Sequence, residues 1–251
     1  MSEKKTYGTV LIKAAKIMDF LAAAPDQSLQ EIAQATEMTS STTLKILDTL
    51  VLIDYVQKSK DKTYRLGIKL IRYANKSIEQ IDLSEITLPY FDKLQQTIDE
   101  TIHLGVLNEN EVLYINKLDP KNQTIRMASK VGITRPLYNS AMGKAILAEL
   151  SEAEVEQYIA THSLVSYTEH TITDSARLLN ELEAIRQTGI AYDDEEVERD
   201  IFCSGVTLKK GNEIIGAFSI SMPKYRVTAE KKQLINEKIL ETKRLIEKDL
   251  A

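Results

Sequence analysis

SLQEIAQATEMTSSTTLKILDTL, residues 28–50, is the stretch of sequence that decides the fold of the N-terminal part of the chain. Ser28 and Glu31 have the spacing of a capping box, in which the serine hydroxyl accepts from the amide three residues later and the glutamate side chain reaches back. The spacing predicts a short helix that begins at Leu29 and ends near Thr36.

A second helix is predicted within the same stretch. Thr39 or Ser40 can cap it, and leucines at positions 44, 47 and 50 fall on one face. The opposite face then carries Ser41, Thr42, Lys45, Asp48 and Thr49. Two short helices joined by about three residues form a helix-turn-helix, whose second helix can enter the major groove of DNA.

The flanking sequence extends this unit to a winged helix-turn-helix. Val10–Ala23 has apolar residues at helical spacing, and the segments 55–58 and 63–66 are short β-prone runs around a lysine-rich turn. Such a basic hairpin, or wing, can lie on the phosphate backbone. The candidate DNA-binding residues are Ser40, Ser41, Thr42 and Lys45 on the helix, and Lys58, Lys60, Lys62 and Arg65 on the wing.

Two other interpretations of this unit remain open: a small helical subdomain that does not bind DNA, and a unit that only mediates dimerisation. Charge favours the DNA-binding interpretation weakly. Residues 1–80 contain 12 Lys and Arg against 9 Asp and Glu, whereas the rest contains 20 against 28. Contact with a polyanion is therefore expected in the N-terminal part alone.

The composition is typical of a globular protein, with 43% hydrophobic and 27% charged residues among 251. No apolar run approaches the roughly 18 residues of a membrane span, and no signal peptide is recognisable, so we expect a cytoplasmic protein. Cys203 is the only cysteine, which excludes an internal disulfide and argues against a zinc cage. Because phosphate-loop and metal motifs are also missing, we expect no cofactor and no metal.

Beyond residue 80 the pattern predicts an α+β domain with a mainly antiparallel sheet. Strands are predicted at 102–107, 112–116, 124–128, 190–192, 201–208 and 214–221. Helices are predicted at 88–97, 141–150, 153–161, 175–188 and 228–250. Pro89 is expected to begin the first of these helices, since the first turn needs no amide hydrogen there.

One candidate site for an acidic ligand is the start of the predicted helix at 141. Asn139 can cap this helix, which leaves the amides of Ser140, Ala141 and Met142 free to bind a carboxylate at a positive helix end.

Polar side chains on the predicted strands are a second group of candidates. Ser219 and Ser221 are two residues apart, so their hydroxyls project from one face of the sheet. Asp193 would accept from a hydroxyl at the other end of a ligand. Taken alone, strand serines are more often solvent-facing, and a lone cysteine such as Cys203 is more often a core residue.

Several separated blocks together resemble a known family. They are SLQEIA at 28–33, YRLG at 64–67, VG at 131–132, RPL at 135–137, GKAILA at 143–148, GIAYDDEE at 189–196 and SIS at 219–221. In this order they are similar to the IclR family of bacterial transcription regulators, over nearly the whole chain. The resemblance implies a winged helix-turn-helix at 1–68, a linker helix at 69–85 and a GAF-like, effector-binding domain at 86–251.

The resemblance also implies partners and contacts. The expected partners are double-stranded operator DNA, a second copy of the chain in a homodimer or tetramer, and a small carboxylic, keto or sugar acid as effector. The family's ligand-contacting residues map onto Asp193, Cys203, Ser219 and Ser221, with backbone contacts near Ala141 and Met142.

The chain departs from the family pattern at some positions. Glu37 stands where the family commonly has glycine, and it would be strained if the turn needs a positive φ. Val206-Thr207 replaces a frequent Ala-Pro pair, so the strand at 201–208 is expected to hydrogen-bond more regularly.

These observations favour a ligand-responsive transcription regulator, with repression preferred over activation, and not an enzyme. The alternative is a hydrolase with Cys203 as nucleophile and a distant histidine as base. It ranks lower because it leaves the helix-turn-helix unexplained, and because nothing near Cys203 in the sequence would lower the pKa of its thiol.

Overall fold

The computed structural model describes residues 8–73, 82–125 and 127–250. The chain divides into two units, Met1–Gln80 and Ile81–Ala251.

The described residues of the first unit form three helices, a small antiparallel sheet and a helical segment at 69–73. The helices are α1 (Thr9–Ala23), α2 (Leu29–Ala35) and α3 (Ser40–Leu52), and the strands are β1 (Gln27–Ser28), β2 (Val56–Lys58) and β3 (Thr63–Leu66). The strand order is β1-β3-β2. Ile17, Ile32 and Leu47 are fully buried between the helices, and Tyr64 covers this core from the hairpin. The predicted winged helix-turn-helix is thus confirmed, and β1 is a strand that the sequence did not indicate.

The ends of α2 and α3 are set by local hydrogen bonds. The capping box of Ser28 and Glu31 forms as predicted, and Thr39 caps α3. Glu37 follows α2 with a φ of 56°, and the amides of Glu37 and Met38 donate to carbonyls in the last turn. This is a Schellman motif, in which the left-handed position favours glycine. The strain predicted for Glu37 is therefore present.

The predicted linker helix at 69–85 lies partly outside the described residues. Residues 69–73 are helical, residues 74–81 are not described, and helix α4 begins at Asp82.

The second unit is built on a six-stranded antiparallel sheet with the order β6-β5-β4-β9-β8-β7. The strands are β4 (Thr101–Asn108), β5 (Glu111–Leu118), β6 (Thr134–Pro136), β7 (Ala191–Asp194), β8 (Ile201–Lys210) and β9 (Glu213–Pro223). The helices are α4 (Asp82–Ile98), α5 (Ala141–Glu149), α6 (Glu152–Thr161), α7 (Ser175–Thr188) and α8 (Ala229–Leu250), and a short 3₁₀ turn covers Lys224–Arg226.

Alternating side chains of the sheet supply two cores. On one face, Phe202, Phe218 and Ile220 pack with buried residues of α4 and α8. On the other face, Val112, Tyr114 and Ala217 pack with α5, α6 and α7. The α+β class and the antiparallel sheet agree with the prediction. β8 pairs with β9 continuously through Val206-Thr207, and the register shifts between Leu208 and Lys209.

Two predictions of secondary structure are wrong. Pro89 lies inside α4 and does not begin it. The helix continues through the proline because Phe91, Leu94 and Ile98 are buried in the core, and this packing offsets the missing hydrogen bond. The strand expected at 124–128 is absent from the described residues of that stretch, which form an irregular segment.

None of the described helices combines the length and the apolar character that crossing a membrane requires.

Candidate functional site

The polar face of α3 carries the side chains that could read DNA. Ser40, Ser41 and Lys45 are exposed near the start of the helix. Thr42 is half-buried, and its hydroxyl accepts a hydrogen bond from the hydroxyl of Thr39 at 2.9 Å. Thr42 is therefore partly committed to the helix cap, whereas Ser41 and Lys45 are free to contact a partner.

The wing presents exposed cations on a paired hairpin. Lys58 lies opposite Tyr64 in the register, with its ammonium 5.2 Å from the centre of the tyrosine ring. Lys60, Lys62 and Arg65 are exposed. All eight predicted DNA-binding residues thus lie in the first unit, on α3 or on the wing.

The second unit contains a cavity on the sheet face that packs with α5–α7. It holds about 410 Å³ of empty space, part of it open to solvent. Its walls are formed by His103, Tyr114, Met127, Ala128, Ser129, Arg135, Asp193, Val197, Glu198, Ile201, Cys203 and Ser221. Three of the predicted ligand contacts, Asp193, Cys203 and Ser221, therefore face one cavity.

Strand pairing brings these three residues together. Asp193 on β7 lies opposite Cys203 on β8, and Cys203 lies opposite Ser221 on β9. Direct neighbours across antiparallel strands point to the same face. The result is a continuous polar row across three strands, which no local sequence spacing could show.

A chain of hydrogen bonds extends this row to His103. The Ser221 hydroxyl donates to the Cys203 sulfur at 3.0 Å, and its oxygen lies 3.3 Å from Nδ1 of His103. Nε2 of His103 lies 2.6 Å from the hydroxyl of Ser129. Both ring nitrogens of His103 thus lie within hydrogen-bond distance of a serine hydroxyl, Ser221 at Nδ1 and Ser129 at Nε2.

Burial shifts the pKa of each ionisable group in the row toward its uncharged form. It lowers the pKa of His103 to about 3, with the charges of Lys117 and Arg135 acting in the same direction. It raises the pKa of Asp193 to about 7, against the hydrogen bonds that the amides of Glu196 and Val197 donate to Oδ1. Burial also raises the pKa of the Cys203 thiol, and the charge of Asp193 adds to this effect.

The other predicted contacts are not part of the cavity wall. Ser219 is buried two residues before Ser221 on β9, where it pairs with His103 of β4 on one side and with Gly205 of β8 on the other. The start of α5 lies directly over Gly205: a Cβ added there would be 2.7 Å from the carbonyl carbon of Ala141 and 2.8 Å from the amide nitrogen of Met142.

The predicted cap of α5 is wrong. Ser140 caps the helix, accepting from the amide of Gly143 at 3.2 Å and donating to the carbonyl of Pro136. Asn139 is fully buried, and its amide group makes no hydrogen bond with the described residues.

Sequence reasoning missed the cavity residues supplied by distant segments. Tyr114 packs on His103 with ring centres 5.0 Å apart, and Arg135 projects from the short edge strand β6. Met127 and Ala128, which belong to the predicted strand at 124–128, instead form part of the cavity wall together with Ser129. The only signal in the sequence for these residues is the Arg135-Pro136-Leu137 block of the family resemblance, and the block alone does not indicate that Arg135 lines a cavity.

No group of described residues could hold a metal ion, and the cavity offers no activated nucleophile. The Cys203 thiol is neutral because its pKa is raised. Burial lowers the pKa of His103 to about 3, which makes its imidazole a poor base toward Cys203.

A winged helix-turn-helix joined to a domain with a polar cavity indicates a DNA-binding regulator rather than an enzyme. Comparison with family models agrees: residues 10–60 match the IclR helix-turn-helix domain, and residues 75–248 match the bacterial transcriptional regulator IclR C-terminal domain. The chain therefore belongs to the IclR family of bacterial transcription regulators.

Individual relatives are similar in sequence over most of the chain. The chain is 32% identical to the regulator KdgR of Escherichia coli over 225 residues, which cover 89% of this chain and 85% of KdgR. It is 30% identical to the transcriptional repressor AllR of E. coli over 207 residues, or 81% and 76% of the two chains.

Solved structures give the same result. The crystal structure of Thermotoga maritima IclR matches with a TM-score of 0.74 and 33% identity over 96% of this chain and 98% of that chain. An IclR homologue from Microbacterium hydrocarbonoxydans in complex with 4-hydroxybenzoate matches with a TM-score of 0.79, over 96% and 98% of the chains. At 23% identity, this second likeness shows the fold alone.

Proposed function

We propose that the protein is a repressor that binds operator DNA through α3 and the wing and responds to a small organic acid bound in the cavity of its second unit. The observation that carries the proposal is the polar row of Asp193, Cys203 and Ser221, which faces a cavity in a chain that also has an exposed, basic wing. AllR is a repressor, and the Microbacterium homologue binds an aromatic hydroxy acid; both facts support the proposal.

The proposal includes a homodimer or tetramer in the cytoplasm. A symmetric dimer would present two copies of α3 to two half-sites of a palindromic operator, which doubles the number of phosphate contacts. Light scattering of the free protein and of its DNA complex measures the number of chains in each.

The test of DNA binding uses duplexes selected from a random pool. Two wings and two α3 helices offer about 6 to 10 phosphate contacts, so affinity should fall by ~10³ or more between about 50 and 200 mM salt. Replacing Lys60 and Lys62 by alanine should weaken binding to all sequences and flatten the salt slope. Lys210→Ala, which removes an exposed lysine at the end of the β8–β9 hairpin, is the matched control. An unchanged slope in the wing variant would show that the wing does not touch the DNA backbone.

The test of sequence recognition concerns α3. Ser41→Ala and Lys45→Ala should change the preferred sequence more than the affinity for random DNA, because residues near the start of this helix meet base edges. Thr42→Ala is expected to act in the same direction. If all three substitutions together leave the selected sequence unchanged, α3 is not the reading helix.

The test of the response separates the two units. Asp193→Ala and Ser221→Ala, which change two residues of the cavity wall, should leave operator binding by the ligand-free protein intact and remove its response to an effector found in a thermal-shift screen of small acids. A ligand at ~100 times its dissociation constant adds about 2.7 kcal/mol of stability, which such a screen detects. Operator DNA must also change effector affinity by the same factor by which effector changes operator affinity. A full response in both variants would place the effector elsewhere.

A further inference from the structure

We propose that Arg135 holds the carboxylate of the effector, so that the effector is an organic acid bound between this guanidinium and the polar row of Asp193, Cys203 and Ser221. This inference deepens the proposed function and rests on it for the identity of the site.

The position of Arg135 is fixed by strand pairing. β6 is the edge strand of the sheet, and Arg135 lies opposite Val112 of β5 in the register. Val112 belongs to the core on the cavity face, and Tyr114, two residues further along β5, lines the cavity itself. The arginine therefore projects to the same face and forms part of the wall.

The guanidinium has no partner within the part of the chain that the structure describes. None of the ion pairs or side-chain hydrogen bonds there involves Arg135, although the residue is half-buried. Lys117, the other cation close to His103, is already bound to Asp119 at 3.0 Å and to the carbonyl of Met127 at 2.7 Å. Arg135 is thus a cation of the cavity wall whose N–H donors are not used by the described residues.

The rest of the wall suits the neutral end of such a ligand. Asp193, Cys203, Ser221 and His103 provide donors and acceptors, and burial holds His103 neutral. A carboxylate would gain from a planar guanidinium that donates two parallel hydrogen bonds, whereas hydroxyl or keto groups would suit the row. The expected class is a monocarboxylate that carries a hydroxyl or keto group, and not a neutral sugar or an amine.

The test uses matched pairs of probes on the full-length protein, each an acid with a neutral analogue of similar shape: gluconate with glucitol, lactate with propane-1,2-diol, and 4-hydroxybenzoate with 4-hydroxybenzamide. Binding is measured by calorimetry for the wild type, Arg135→Gln and Arg135→Lys. Arg177→Gln, which removes an exposed arginine of α7 with no ion pair among the described residues, is the control.

At least one acid should bind the wild type about tenfold or more tightly than its neutral analogue, and Arg135→Gln should remove that difference without changing the affinity of the analogue. Arg135→Lys should retain part of this difference in affinity, because the positive charge remains but the two parallel N–H donors of the guanidinium are lost. Arg177→Gln should have no effect. If Arg135→Gln does not fold by circular dichroism, the intermediate affinity expected for Arg135→Lys decides the question.

The inference is overturned if acids bind Arg135→Gln as tightly as they bind the wild type, if each acid and its analogue bind the wild type equally, or if no acid binds. The first outcome differs from failure of the proposed function. An acid that binds Arg135→Gln as tightly as the wild type, and still changes operator affinity, removes the Arg135 assignment alone. Conversely, an acid bound through Arg135 without any operator binding would leave this inference standing and remove the proposed function.

Discussion

Lys144→Met should destabilise the second unit strongly at neutral pH and much less at pH 5. Lys144 lies on α5 with only 1% of its side chain exposed, and its ammonium pairs with Glu196 and, at 3.5 Å, with Glu181. Glu196 is itself buried, and its Oε2 has no hydrogen-bond partner among the described residues. Methionine keeps the length and the apolar stem of the lysine, so the substitution removes the charge and little packing.

The size of the effect depends on the cost of leaving Glu196 without a counter-charge or of protonating it. An uncompensated buried carboxylate costs about 3–5 kcal/mol. Glu196 can avoid this by binding a proton, which from its ordinary pKa of 4.5 costs about 3.4 kcal/mol at pH 7 and about 0.7 kcal/mol at pH 5. Burial already raises the pKa of Glu196, and loss of Lys144 raises it further. A carboxyl whose pKa is higher in the folded state makes stability fall as pH rises above about 4.5, so the loss should be about 3 kcal/mol at pH 7 and about 1 kcal/mol at pH 5.

Urea unfolding followed by circular dichroism measures this difference, because the chain contains no tryptophan for fluorescence. Adding Glu196→Gln to Lys144→Met should restore much of the stability at pH 7, since a neutral amide needs no counter-charge. Lys238→Met is the control, because Lys238 pairs with Glu241 at the surface and its loss should change little. Equal losses at the two pH values, or a double variant as unstable as Lys144→Met at pH 7, would refute the reasoning.

Three further predictions concern single positions. Glu37→Gly should raise the free energy of unfolding by about 1 kcal/mol, because it relieves a left-handed residue after α2; thermal unfolding of the two proteins decides. Gly205→Ala should cost about 1–3 kcal/mol, because the new methyl would meet the backbone of α5, and an unchanged melting temperature would contradict that contact. Asp193→Asn should gain stability over wild type by up to about 4 kcal/mol as pH rises from about 4 to 7, because the raised pKa of Asp193 penalises its ionised form; a pH-independent difference would show that Asp193 does not titrate in this range.

The elements that the sequence predicted well are those specified by neighbours along the chain. The capping box of Ser28 and Glu31, the helix at Ser175–Thr188 and the β8–β9 hairpin depend on contacts within a few residues or on a regular apolar period. The errors have tertiary causes. Core packing carries α4 through Pro89, and a strand as short as β6 has too few residues to show a period.

The candidate site was predictable only in part, for the same reason. The strand pattern and the family resemblance both indicate Asp193 and Ser221, and the resemblance alone indicates Cys203. The contact of these residues depends on the pairing of β7 with β8 and of β8 with β9. His103, Tyr114 and Arg135 enter the cavity through β4, β5 and β6. No spacing within the sequence relates these strands to β7 and β8, because the sheet order is not the chain order.

Gly205 allows the start of α5 to pack directly on strand β8. Because this residue has no side chain, the backbone of Ala141 and Met142 can lie on β8 beside the buried Ser219. The Ser140 hydroxyl accepts a hydrogen bond from the amide of Gly143. The start of α5, which the sequence suggested as an anion site, is therefore partly capped by its own N-cap residue, and it lies outside the cavity wall. The cavity still contains a half-buried cation, and a buried or half-buried charge is stabilised by a counter-charge. We therefore assign the effector carboxylate to Arg135 on the edge strand and not to the start of α5. Of these two hypotheses, only the first requires that acid binding be lost in Arg135→Gln.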